Sequence, residues 1–148
     1  MTEVRFYHLE QSTLERALPA LLNKAVAQGN IVVQCNDENN VEKLNTHLWT
    51  YQENSFLPHG SKKDTHADKQ PIWLTDQAEN PNNADILILT HGAENESIED
   101  YKLCCEMFDG NDPTAIQNAR EKWKLYKDQD FEITYWQQGQ NGWEKKSG

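Results

Sequence analysis

Between positions 120 and 127 stand four of the chain's 14 basic residues, in a 148-residue molecule of formal charge −10. Three of them, Arg120, Lys124 and Lys127, recur at i, i+4 and i+7, so in a helix they form one stripe. Trp123 borders that stripe. Guanidinium and ammonium groups beside an aromatic ring suit an acidic peptide that ends in a bulky apolar side chain. Solvated outer faces of surface helices show similar charge runs. Here only Glu121 lies among the cations to neutralise them, which favours binding.

The spacing predicts a helix over 114–127, TAIQNAREKWKLYK, to carry these groups. Asp112 and Thr114 are cap-type residues, Pro113 suits a helix start, and no Gly or Pro follows before Asp128. Ile116, Ala119, Trp123 and Tyr126 share one arc, the face predicted to bury. A second unusual stretch precedes it. Trp49, Tyr51, Phe56 and Leu57 are four large apolar groups where a helix gives way to a loop. They either fold back onto the core or anchor a protein–protein interface.

Catalytic chemistry finds no comparable support. Neither a GxxxxGK[ST] nor a GxGxxG loop exists, and the first glycine, Gly29, comes only after the first helix. Glu10 stands where a phosphate would have to sit. His59, Asp64, His66 and Asp68 share a loop, but their spacing matches no recognised ligand pattern. Cys35 at a strand end is a conceivable nucleophile, yet nothing in the sequence brings a histidine to it, so it reads as a buried structural thiol. Glu99 and Asp100 read as a solvated helix face. No catalytic residue, metal or cofactor is expected.

The positioning elements follow from periodicity. Strand-type runs at 4–9 and 31–35 alternate with helices that begin at Ser12 or Thr13 and at Asp37. Pro19 falls inside the first helical pattern, so that helix kinks there or begins nearby. After a long connection over 50–70, short strands are expected at 71–74 and 85–89. The run 98–108 reads as helical, and 131–136 as a closing strand. On that helix, Cys104 and Cys105 would point about 100° apart, so no bridge joins them.

The order β-α-β-α predicts an α/β fold: a three-layer, doubly wound, mostly parallel sheet of about five strands, without a phosphate-binding glycine loop. One domain spans 1–136, and 137–148 is expected to be a loose polar tail. The start of the chain runs straight into a strand without a signal peptide, and no run reaches membrane-spanning length. With unpaired cysteines, a cytoplasmic protein is expected. The acidic balance argues against broad sequence-independent binding to nucleic acid.

The chain resembles the chi subunit family of bacterial DNA polymerase III, part of the clamp-loader complex. Phe6-Tyr7, Leu48-Trp49, Glu53-x-Ser55-Phe56-x-Pro58-His59, Pro71-Ile72 and Asp85-Ile86-Leu87-Ile88 carry the resemblance, together with Ala119-Arg120-Glu121-x-x-Lys124-x-Tyr126. It spans most of the chain. It implies an α/β fold without catalytic activity and two partners: the psi subunit, and the acidic C-terminal tail of single-stranded DNA-binding protein. DNA would then be contacted indirectly. By position, Trp49 and Phe56, with Pro58 and His59 beside them, would belong to the psi surface. Arg120, Lys124 and Trp123, with Lys127 on the same stripe, would belong to the tail site. The rival readings are an α/β enzyme with an unrecognised nucleotide or substrate site, and direct binding of single-stranded DNA through the basic helix and Trp123.

Overall fold

The computed structural model describes residues 2–10, 13–50, 60–61, 70–139 and 142–147. The elements are β1 (Glu3–Leu9), α1 (Leu14–Ala25), β2 (Ile31–Gln34), α2 (Glu38–Thr50), β3 (Gly60–Ser61), β4 (Ile72–Thr75) and β5 (Ile86–Leu89). A 3-10 turn at Ile98–Asp100 leads to β6 (Leu103–Asp109), α3 (Pro113–Asp128), β7 (Glu132–Gly139) and β8 (Gly142–Ser147). The eight strands form one sheet in the order β3-β4-β2-β5-β6-β1-β7-β8. Every pairing is parallel except β7 with β8.

The chain first moves along the sheet from β1 through α1 to β2, then through α2 to the β3 edge. From β5 it moves the opposite way, through β6 and α3 to β7. Right-handed crossovers travelling in opposite directions lie on opposite faces. The cores agree. Leu18, Leu22, Val41, Leu44 and Leu48 of α1 and α2 pack on one face, while Ala119 and Tyr126 of α3 pack on the other. The α/β, doubly wound, mostly parallel architecture expected from the sequence is therefore the one observed.

Three local expectations need correction. Residues 98–108 are not a helix: β6 is a central strand between β5 and β1. Its side chains alternate, with Cys105 and Met107 in one core and Cys104 in the other, so the adjacent thiols face opposite sides of the sheet. Both thiols are fully enclosed, and burial pushes Cys105 up to about 12. The sheet has eight strands rather than about five, because β3, β6 and β8 were not anticipated. The run after Gln137 is not a loose tail: it supplies the end of β7 and the paired strand β8.

Pro19 lies within α1, which runs from Leu14 to Ala25 without a break. Having no N–H, Pro19 leaves the carbonyl of Glu15 without its helical donor. Nε2 of His47, on α2, reaches that carbonyl instead. The two helices are thus tied at the point where the proline interrupts the hydrogen-bond ladder.

Candidate partner-binding surfaces

Helix α3 starts as its sequence dictates. Pro113 opens it, and the Asp112 carboxylate accepts a hydrogen bond from the Thr114 amide at 3.0 Å. Ala119 and Tyr126 are buried, Ile116 and Trp123 half-buried. Lys122 reaches the opposite way from the cationic stripe. Its Nζ lies 3.0 and 3.3 Å from the two carboxylate oxygens of Glu106 and donates to the carbonyl of Ala93. The Tyr126 hydroxyl donates to Glu106 Oε1 at 2.9 Å. Burial pushes the Glu106 carboxyl up; Lys122 and Tyr126 oppose the shift by stabilising the anion.

Lys122 is thereby neutralised, whereas Arg120, Lys124 and Lys127 are exposed. None of these three has an ion-pair partner among the described residues. Glu121, the acid among them, is 3.4 Å from the side-chain amide of Gln117. The structure brings together all four residues expected on α3: three cations along its outer face, and the half-buried ring of Trp123 at their border. Trp123 packs on Phe6 at 5.4 Å between ring centroids and on Tyr135 at 6.0 Å.

Tyr135 was not singled out in the sequence. It lies on β7, two residues from Ile133 on the same face, and extends the aromatic wall beside Arg120. Burial raises its phenol and the Glu10 carboxylate adds to this, while the positive field of Arg120 opposes both. The period-two alternation of 131–136 was the available signal, since it puts Ile133 and Tyr135 on the face that meets α3. Behind Tyr135, its hydroxyl meets Nδ1 of His8, whose ring packs on Phe108 at 5.1 Å. His8 Nε2 lies 3.2 Å from Glu10 Oε1. Gly110 makes this packing possible: a Cβ there would fall 2.0 Å from the His8 ring and 2.6 Å from the Leu9 carbonyl oxygen.

Of the other expected surface, Trp49 belongs to the last turn of α2, and Phe56, Pro58 and His59 lie outside the described residues. Helix α2, which carries the backbone of Trp49, and helix α3 cover opposite faces of the sheet.

The carboxyl ends of the strands form the crevice where α/β proteins usually bind ligands. A cleft of about 800 Å³ lies there, between α1 and α3. Glu10, Glu15, Asp109 and Asp112 line it against one exposed cation, Arg16, so its rim is net acidic and disfavours phosphate. Nearby, the Thr90 hydroxyl stands between Cys35 Sγ, at 3.3 Å, and His91 Nδ1, at 2.9 Å. Cys35 is fully enclosed and burial pushes its thiol up to about 11, so it is protonated and shielded at neutral pH. Among the described residues no three His, Cys, Asp or Glu side chains gather as a metal site; His59, Asp64, His66 and Asp68 lie outside them.

Comparison with known proteins decides the family. Residues 1–134 match the model of the DNA polymerase III chi subunit, HolC. The chain belongs to that family. Chi relatives agree with the match. A probable DNA polymerase III subunit chi of Rickettsia prowazekii is 34% identical over 109 residues, 73% of this chain and 66% of that relative's length. The DNA polymerase III subunit chi of Pseudomonas aeruginosa is 26% identical over 138 residues, 90% of this chain and 94% of its own. Membership in the chi family ties the chain to DNA replication as a polymerase III subunit. No helix among the described residues is long and apolar enough to cross a membrane.

Proposed function

We propose that this chi-family chain is a non-catalytic, cytoplasmic adaptor of the DNA polymerase III clamp-loader complex. It holds the psi subunit and the acidic C-terminal tail of single-stranded DNA-binding protein, and so contacts DNA indirectly. The observation that carries this reading is the exposed trio Arg120, Lys124 and Lys127, without acidic partners among the described residues, beside the aromatic wall of Trp123 and Tyr135. Tail carboxylates pair with the cations while the tail's terminal aromatic packs near Trp123. Such contacts are salt-sensitive and individually weak, on the order of micromolar. DNA coated with the binding protein displays many tails, and avidity multiplies the attraction.

Trp49, Phe56, Pro58 and His59 form the psi surface in this reading. The placement of α2 and α3 on opposite faces supports simultaneous occupancy. The test is a titration of tail peptide into the chain saturated with psi. The peptide binds with its usual affinity if the two surfaces are separate, and competitive displacement refutes the adaptor. Naked oligonucleotide serves as the control and does not compete with the peptide.

A further inference from the structure

A second, smaller cleft of about 270 Å³ lies on the face of the sheet opposite α3, between α1 and the β7–β8 hairpin. The family match ends at residue 134, so most of that hairpin lies past it. Tyr7 and Cys105 form the cleft floor, Ala17 and Leu21 of α1 one wall, and Trp136 and Trp143 the other. Trp143 meets Tyr7 edge-on with ring centroids 4.9 Å apart, which fixes its indole over β1. The cleft is smaller than ordinary cofactor sites and takes one bulky side chain, not a nucleotide.

Its charge reverses that of the chain. The sequence holds 24 acidic residues against 14 basic ones, yet no carboxylate lines this cleft. Lys24 stands at its mouth, nearly one turn beyond Leu21. On the other wall, the register pairs Trp136 with Lys145 and Gln138 with Trp143, so Lys145 shares the face of both indoles. Lys24 and Lys145 are exposed and have no ionic partner among the described residues, whereas Arg5, which also lines the cleft, is bound to Glu3 at 2.6 Å.

We infer that this cleft is a second docking site, for an acidic segment of a partner protein bearing one bulky apolar side chain. That side chain enters between α1 and the two indoles, and carboxylates flanking it meet Lys24 and Lys145. Single-stranded DNA fits less well. The indoles are half-buried, with Trp143 held against Tyr7, and two isolated lysines on an acidic chain make no continuous cationic track.

The test is a nitrogen–proton correlation NMR titration of the full chain with a ten-residue peptide of aspartates around one central phenylalanine. The indole N–H signals of Trp136 and Trp143 shift saturably. A matched peptide with alanine at the centre binds there at least tenfold more weakly. The Lys24→Glu, Lys145→Glu double variant, altered only at exposed positions, loses at least tenfold at these two indoles while the response of Trp123 is unchanged. The separate Trp123 signal distinguishes failure here from failure of the α3 site. Three results would each overturn the assignment: silent Trp136 and Trp143 signals, equal response to the alanine peptide, or shifts that survive charge reversal. So would shifts caused by oligothymidylate and not by the peptide.

Discussion

Lys122 Nζ lies 3.0 Å from Glu106 Oε2 beneath α3, in a pair whose side chains are only 12% and 7% exposed. The contact fixes which way the helix faces. With Lys122 drawn inward, Arg120, Lys124 and Lys127 are left on the outside, and the basic cluster divides into one structural cation and three without an ion-pair partner among the described residues.

Removing that inward cation strands a buried carboxylate. We predict that Lys122→Met costs about 3–5 kcal/mol of stability at pH 8, the usual loss when one partner of a buried pair is deleted. The loss depends on pH in a definite sense. Burial already raises the folded-state pKa of Glu106, and Lys122 is the largest influence opposing it. Without Lys122 the pKa rises further, so the folded state holds its proton more tightly than the unfolded one. That contribution is present at low pH and is lost as pH rises through the folded value. Urea unfolding at pH 5 and pH 8 should show the smaller deficit at pH 5. Equal deficits would mean that the charge of Glu106 is not the cause.

At Gly110 the constraint is steric. Gly110→Ala puts a methyl group against both the His8 ring and the Leu9 carbonyl oxygen. We predict a loss of about 1–3 kcal/mol in urea unfolding, the cost typical of overpacking. His8→Ala in the same chain restores part of it by removing the ring, and the backbone contact with Leu9 keeps the rescue incomplete. Complete rescue, or no initial loss, would contradict this packing.

These two contacts also show where sequence reading succeeds and fails. Helix α3 was legible because its cap, its proline and its periodic apolar residues are all local signals. The strand β6 was not. Buried on both faces through its centre, it carries apolar residues on both sides of Glu106 that fit helical spacing equally well, and Glu106 looks like a solvent-facing position. Only the distant Lys122 and Tyr126 explain a carboxylate there. Strand β8 failed for a related reason. Its GWEKKS composition is polar, and it is held by backbone pairing to β7 and by Trp143 on Tyr7, not by a hydrophobic pattern of its own. At the site, the cationic stripe was readable from i, i+4, i+7 spacing, while Tyr135 belongs to it only through the packing of β7 against α3.

The two-surface reading predicts separable variants. Phe56→Ala impairs psi binding and leaves tail binding nearly intact, and Lys124→Ala does the reverse. Independent sites are close to additive, so the double variant shows coupling of no more than about 0.5 kcal/mol. Larger coupling, measured by titrating each partner into all four proteins, would mean that the surfaces overlap.

The central claim rests on Arg120, the exposed guanidinium of the α3 stripe. Its most direct test is a calorimetric titration, at low salt, of the acidic tail peptide of single-stranded DNA-binding protein into the parent chain and Arg120→Ala. We predict an affinity at least tenfold weaker for the variant, with an unchanged unfolding midpoint, because a charge-assisted contact is lost from a surface that takes no part in the core. Equal affinity for the two proteins would remove Arg120 from the site and contradict the account.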